Sequence, residues 1–68
     1  MRIKTGDKIR AAIGIEVREW EVKRIFTDGS STWFSLETAL GAEQTVGSST
    51  LLDAINRATQ TELTEAEI

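Results

Sequence analysis

The sequence predicts an α+β domain that is mainly β: a small antiparallel sheet, or a barrel, of four to five short strands closed by one C-terminal helix. Three observations predict it. Apolar and polar residues alternate with a period of two through much of residues 8–46, as strands with one buried face require. Turn-forming residues interrupt these runs, most clearly at Thr27-Asp28-Gly29-Ser30 and around Gly41. After Gly47-Ser48-Ser49-Thr50 the apolar spacing becomes helical.

The elements follow in order. Lys4-Thr5-Gly6-Asp7 is a turn, because glycine reaches dihedrals closed to other residues and aspartate bonds its own backbone. Lys8 to Ile13 is a first strand with Ile9, Ala11 and Ile13 on one face. Gly14 marks a bulge or bend, and Ile15 and Val17 continue the alternation. Glu19 to Phe26 is the strongest strand, with Trp20 and Val22 alternating against Glu19, Glu21 and Lys23. The step from Val22 to Ile25 breaks the period and predicts a bulge near Lys23–Arg24. Asp28-Gly29 turns the chain into a return strand, Ser31 to Thr38. There Phe34 and Leu36 share a face with Thr32 and Thr38, and Trp33, Ser35 and Glu37 share the other. Ala39 to Ala42 is a turn and Glu43 to Val46 a short fourth strand. Thr50 and Asp53 have capping-box spacing, and Leu51, Leu52, Ile55 and Ala58 define a helix from about Thr50 to about Gln60 or a little beyond. The predicted core is Trp20, Val22, Ile25, Phe34, Leu36, Val46, Leu51, Leu52 and Ile55.

The chain has 68 residues, enough for one domain, read as residues 1–60 with 61–68 as an acidic extension of the helix or a frayed tail. A domain this small buries only about 60% of its unfolded surface. It has no cysteine and no histidine, so disulfides, thiolate ligands and imidazole ligands are excluded; no metal and no cofactor are expected. The same absence removes the Ser-His-Asp triad, the Cys-His pair and the common zinc-activated water. The glycines are single and scattered, without a phosphate-binding spacing. Glu19 and Glu21 share a strand face that alternation places in solvent, not in a water-excluding cleft, so they are not expected to be an acid–base pair. The chain is not expected to be an enzyme. No run approaches 18 apolar residues, and no secretion signal is evident, so the expected location is the cytoplasm.

Two candidate binding features remain. Trp33 faces away from Phe34 and Leu36. It is either an exposed binding anchor or, if the hairpin twists, a lid on the core packed on Trp20. The second is the basic group Lys8, Arg10, Lys23 and Arg24, whose outward faces could meet near Trp33 as the cation-and-aromatic surface that single-stranded nucleic acid uses. Charge is unevenly spread. Residues 1–24 carry seven basic and four acidic residues, a local +3, while residues 25–68 carry one basic and seven acidic, a local −6. This predicts either a basic and an acidic face or an ordinary solvated surface.

In layout, Val22-Lys23-Arg24-Ile25-Phe26, the turn at Asp28-Gly29, Trp33-Phe34-Ser35-Leu36 and the closing Leu51-Leu52-Asp53-Ala54-Ile55 resemble a small SH3-like or Tudor-like β-barrel, a layout shared by the seven-kilodalton archaeal chromatin proteins. The resemblance implies a binding module. It departs from the chromatin proteins in charge, since they are lysine-rich and this chain carries a net charge of −3. Three functions stay open: a non-enzymatic binding or adaptor module for a protein partner or for self-association, a nucleic-acid-binding domain using the basic N-terminal half and an exposed Trp33, and an acidic DNA-mimicking inhibitor.

Overall fold

The computed structural model of the protein describes residues 2–66. Four strands, β1 (Lys8–Ile13), β2 (Glu16–Asp28), β3 (Ser31–Glu37) and β4 (Glu43–Gly47), form one antiparallel meander in the order β1-β2-β3-β4. The helix α1 (Ser48–Ala66) follows β4 without a connecting loop. The sheet is open, with β1 and β4 as its edges. No helix among the described residues is long and apolar enough to cross a membrane.

The turns explain the register. Gly14–Ile15 and Gly29–Ser30 are both two-residue hairpin loops, bounded by the pairs Ile13↔Glu16 and Asp28↔Ser31. In each the first residue is a glycine at positive φ, 84° at Gly14 and 65° at Gly29, and no described non-glycine residue has positive φ. That is the type II′ pattern, whose twist matches the flanking strands. Gly14 is therefore a hairpin turn and not a bend within a continuing strand, which corrects the reading of Ile15. Ile15 sits at the hairpin tip, fully exposed, and β2 begins at Glu16 and runs 13 residues.

The register between β2 and β3 shifts between Val22 and Arg24, at the expected bulge. The extra residue, Lys23, lets Val22 and Ile25 both face the core although three positions separate them. At this level the N-terminal turn docks on β2: Val22 N–H donates to the Asp7 carbonyl (2.8 Å) and Gly6 N–H to the Val22 carbonyl (2.8 Å). The Asp7 carboxylate accepts from Lys4 N–H (3.0 Å) and holds the turn shut.

The helix lies across one face of the sheet, chiefly over β1, and touches β3 and β4. Ala11, Trp20, Val22, Phe34, Leu36, Val46, Leu51 and Ala54 form the core, with Ile3, Ile9, Ile13, Ile25 and Ile55 packed at its margin. Small residues on both elements, Ala11 on β1 and Ala54 and Ala58 on α1, let the helix backbone approach the strand, while Ala12, on the opposite face of β1, lines a depression with Thr61 and Glu62 at the sheet edge. Trp20 Nε1 is buried with no hydrogen-bond partner among the described residues. Its indole is held by packing alone, at a desolvation cost of about 1–3 kcal/mol.

Two expectations for the helix need correction. It starts at Ser48, so Thr50 lies inside the first turn and does not cap it. Leu52, expected in the core, is 42% exposed. The inward stripe is Leu51, Ala54 and Ala58, all buried, with the partly buried Ile55, at the i, i+3, i+4, i+7 spacing of one helix face, and Leu52 lies a hundred degrees round from Leu51. The last two residues of the expected acidic tail, 67–68, lie outside the described residues.

Candidate functional site

With the helix on one face, the other face of the sheet is open over β2, β3 and β4, while at the β1 edge Arg10 on that face reaches Glu62 of α1; alternation decides what stands there. Residues paired across an antiparallel ladder share a face. The register therefore sets three rows that cross β3 on this face, beside two shorter ones between β1 and β2, Arg10 with Glu19 and Ala12 with Val17. One is Lys8, Glu21, Glu37 and Glu43; the next is Arg24, Ser35 and Thr45; the third is Phe26, Trp33 and Gly47.

The third row is an aromatic platform. Trp33 is opposite Phe26 and beside Gly47, and both rings are half-buried. A Cβ on Gly47 would lie 3.8 Å from Trp33 Cζ3, so the indole rests on the β4 backbone where a side chain is missing. Trp33 is half-buried and matches neither expectation in full: it is neither a fully exposed residue nor packed on Trp20. It stands away from the core, and Trp20 is buried on the opposite face. The Arg24 guanidinium lies 5.1 Å from the Phe26 ring centroid, within cation–π range. No carboxylate pairs with Arg24 among the described residues, and it stands diagonal to Trp33 in the ladder.

The other predicted basic residues are not gathered there. Arg10 pairs with Glu62 of α1, 52 positions away in sequence and beyond the reach of local pattern. Lys23, the bulge residue, pairs with Glu21 (3.0 Å). The hydrogen bond that the Lys23 ammonium donates to the Glu21 carboxylate, the charge of that carboxylate and that of Glu37 hold the ammonium above its ordinary range. Lys8 stands opposite Glu21 at the edge of a shallow depression of about 220 Å³ shared with Glu19, Glu21, Lys23 and Glu37. Arg18 pairs with Glu16 (3.0 Å). The N-terminal charge excess is thus interleaved with carboxylates, and no continuous basic face forms.

Phe26, Ser35, Thr45 and Gly47 complete the platform and were not singled out from sequence. The signal for Phe26 was present: once a bulge is placed between Val22 and Arg24, Ile25 turns inward and Phe26 must turn outward, onto the Trp33 face. Gly47 gave no such signal, because a glycine before a serine run reads as a break and not as a seat for an aromatic ring.

The fold and this face define a class, a four-stranded antiparallel meander with a helix on one side and an aromatic, cation-bearing surface on the other. No protein-family model, curated protein or solved structure matches the chain.

Proposed function

We propose that the chain is a non-enzymatic docking module that binds a protein partner through the bare sheet face around Trp33. The observation that carries this reading is the placement of Trp33 and Phe26, half-buried side by side on the open part of that face, with Arg24 beside them. Tryptophan and arginine are the residue types that dominate interface energetics, and a ring already braced on backbone loses little freedom on binding. The acidic row on the same face and the glutamate-paired basic residues support a protein partner over nucleic acid, because phosphates that pass Arg24 would meet Glu21, Glu37 and Glu43 two rows from Trp33.

The test is affinity capture from the native host with wild-type protein and with Trp33→Ala and Arg24→Ala, each first shown to be folded by circular dichroism. The partner is expected to lose at least about 2 kcal/mol, roughly 30-fold, with Trp33→Ala. A partner that binds both variants as tightly as the parent overturns the reading.

A further inference from the structure

We propose that the chain self-associates through the flank of α1, as a two-fold antiparallel helix pair in which Leu52 of one copy meets Leu63 of the other. This surface is separate from the Trp33 face, and the proposal does not depend on the function given to that face.

The argument begins with widths. Four strands at about 4.8 Å make a sheet roughly 19 Å wide, whereas one helix is about 10 Å across. Because α1 lies chiefly over β1, it leaves part of the core face uncovered. What remains is an apolar groove of about 510 Å³ beside the start of the helix, lined by Ile3, Ile25, Phe34 and Leu51, with Leu52 at its lip and Arg2 and Lys4 on its rim. The groove is the space a second helix would fill.

The helix carries a matching surface. Leu52, Asn56, Thr59 and Leu63 follow one another at spacings of four, three and four, the seam of a helix pair. All four are exposed, Leu52 by 42% and Leu63 by 55%, and this stripe is separate from the buried one. A two-fold axis midway between Asn56 and Thr59 sets Leu52 against Leu63 of the second copy at both ends, and Asn56 against Thr59 in the middle.

Charge selects the antiparallel direction. The first turn of α1 has no acid and its last turn no base. Arg2 and Lys4 flank the beginning of the helix, while Glu62, which also pairs with Arg10 of its own chain, lies near its end. Antiparallel pairing brings the acidic end of each copy to the basic end of the other and opposes the helix dipoles; parallel pairing sets acid against acid. A single helix pair buries less than the ~800 Å² per partner of a standard interface, so the association is weak, with a dissociation constant in the micromolar range.

Sedimentation equilibrium on the full chain reads this directly. Wild type is expected to pass from monomer to dimer between about 1 µM and 1 mM, and Leu63→Glu, at an exposed position, to weaken the dimer at least about tenfold with an unchanged far-ultraviolet spectrum. Trp33→Ala is expected to leave the dimer intact. Because the chain has no cysteine, engineered thiols report register cleanly. The double variant Leu52→Cys/Leu63→Cys is expected to oxidise to a covalent dimer. Either single variant is not, because like positions lie 11 residues, roughly 16 Å, apart along the pair, and a disulfide needs Cα atoms within about 7 Å. A chain monomeric at 1 mM, a dimer indifferent to Leu63→Glu or broken by Trp33→Ala, or rapid cross-linking of a single variant each overturns the proposal.

Discussion

Leu51 and Leu52 are neighbours of identical chemistry with different fates. Leu51 is 1% exposed among Phe34, Val46 and Ala54 of the core, and Leu52 stands at the lip of the groove. Leu51→Ala should therefore cost about 2–5 kcal/mol, the range for a buried leucine that leaves a cavity. Leu52→Ala should cost the isolated monomer less than about 1 kcal/mol, because most of what it removes is already near water. Urea denaturation of both at concentrations below dimer formation checks the pair, and equal losses would mean that the helix is rotated from the orientation described. Trp33 shows the same principle on the other side of the sheet. Its neighbour Phe34 is buried, so strict alternation alone places the indole on the bare face.

Among the elements, the sheet carries an unfavourable alignment. Glu21, Glu37 and Glu43 are directly opposed on three successive strands. Lys23 bridges to the first of them, and Glu37 and Glu43 have no ion pair among the described residues. Like charges directly opposite one another destabilise a sheet, so Glu37→Thr, which replaces the middle carboxylate with a good strand former, should stabilise the domain by about 0.2–1 kcal/mol. Thermal melts at low and high salt test this: the gain should shrink as salt screens the row. The strands were the most legible part of the sequence. β1 has the predicted bounds, and the Lys23 bulge and the Trp33 orientation follow from the period of two. The Gly14–Ile15 hairpin was hidden because Ile13, Ile15 and Val17 keep the alternation going through it. The helix begins two residues before the expected start and continues to Ala66, the extension that the sequence left open beside fraying because threonines and glutamates carry no apolar periodicity; the exposure of Leu52 was hidden because two adjacent leucines do not say which one lies on the stripe. The pairing of Arg10 with Glu62 depends on the crossing of α1 over the sheet, which no local pattern contains.

At the scale of the molecule, the distribution of charge decides what the surface can attract. The sequence places seven of eight basic residues in the first 24 positions, yet folding pairs Arg10, Arg18 and Lys23 with glutamates and leaves Arg24 beside an aromatic ring. A nucleic-acid binder gains affinity by neutralising phosphates, and log affinity then falls with log salt at about −0.9 per phosphate on duplex and about −0.7 on single strands. With so few unpaired cations and three carboxylates on the same face, binding to short oligonucleotides should be no tighter than about 10⁻⁴–10⁻⁶ M at physiological salt. Fluorescence titration with labelled single- and double-stranded oligonucleotides at two salt concentrations measures it. Nanomolar affinity with a steep salt slope, abolished by Arg24→Ala, would move the assignment to nucleic acid.

The two tryptophans also make the protein its own spectroscopic instrument. Trp20 is sealed in the core and Trp33 lies on the bare face, and no other tryptophan contributes to the emission. The emission therefore has a component shielded from aqueous quenchers and a component open to them. Unfolding must abolish the distinction between the two, whereas occupation of the sheet face must shield the second and leave the first unchanged. Docking and denaturation are thus separable in one cuvette without a label.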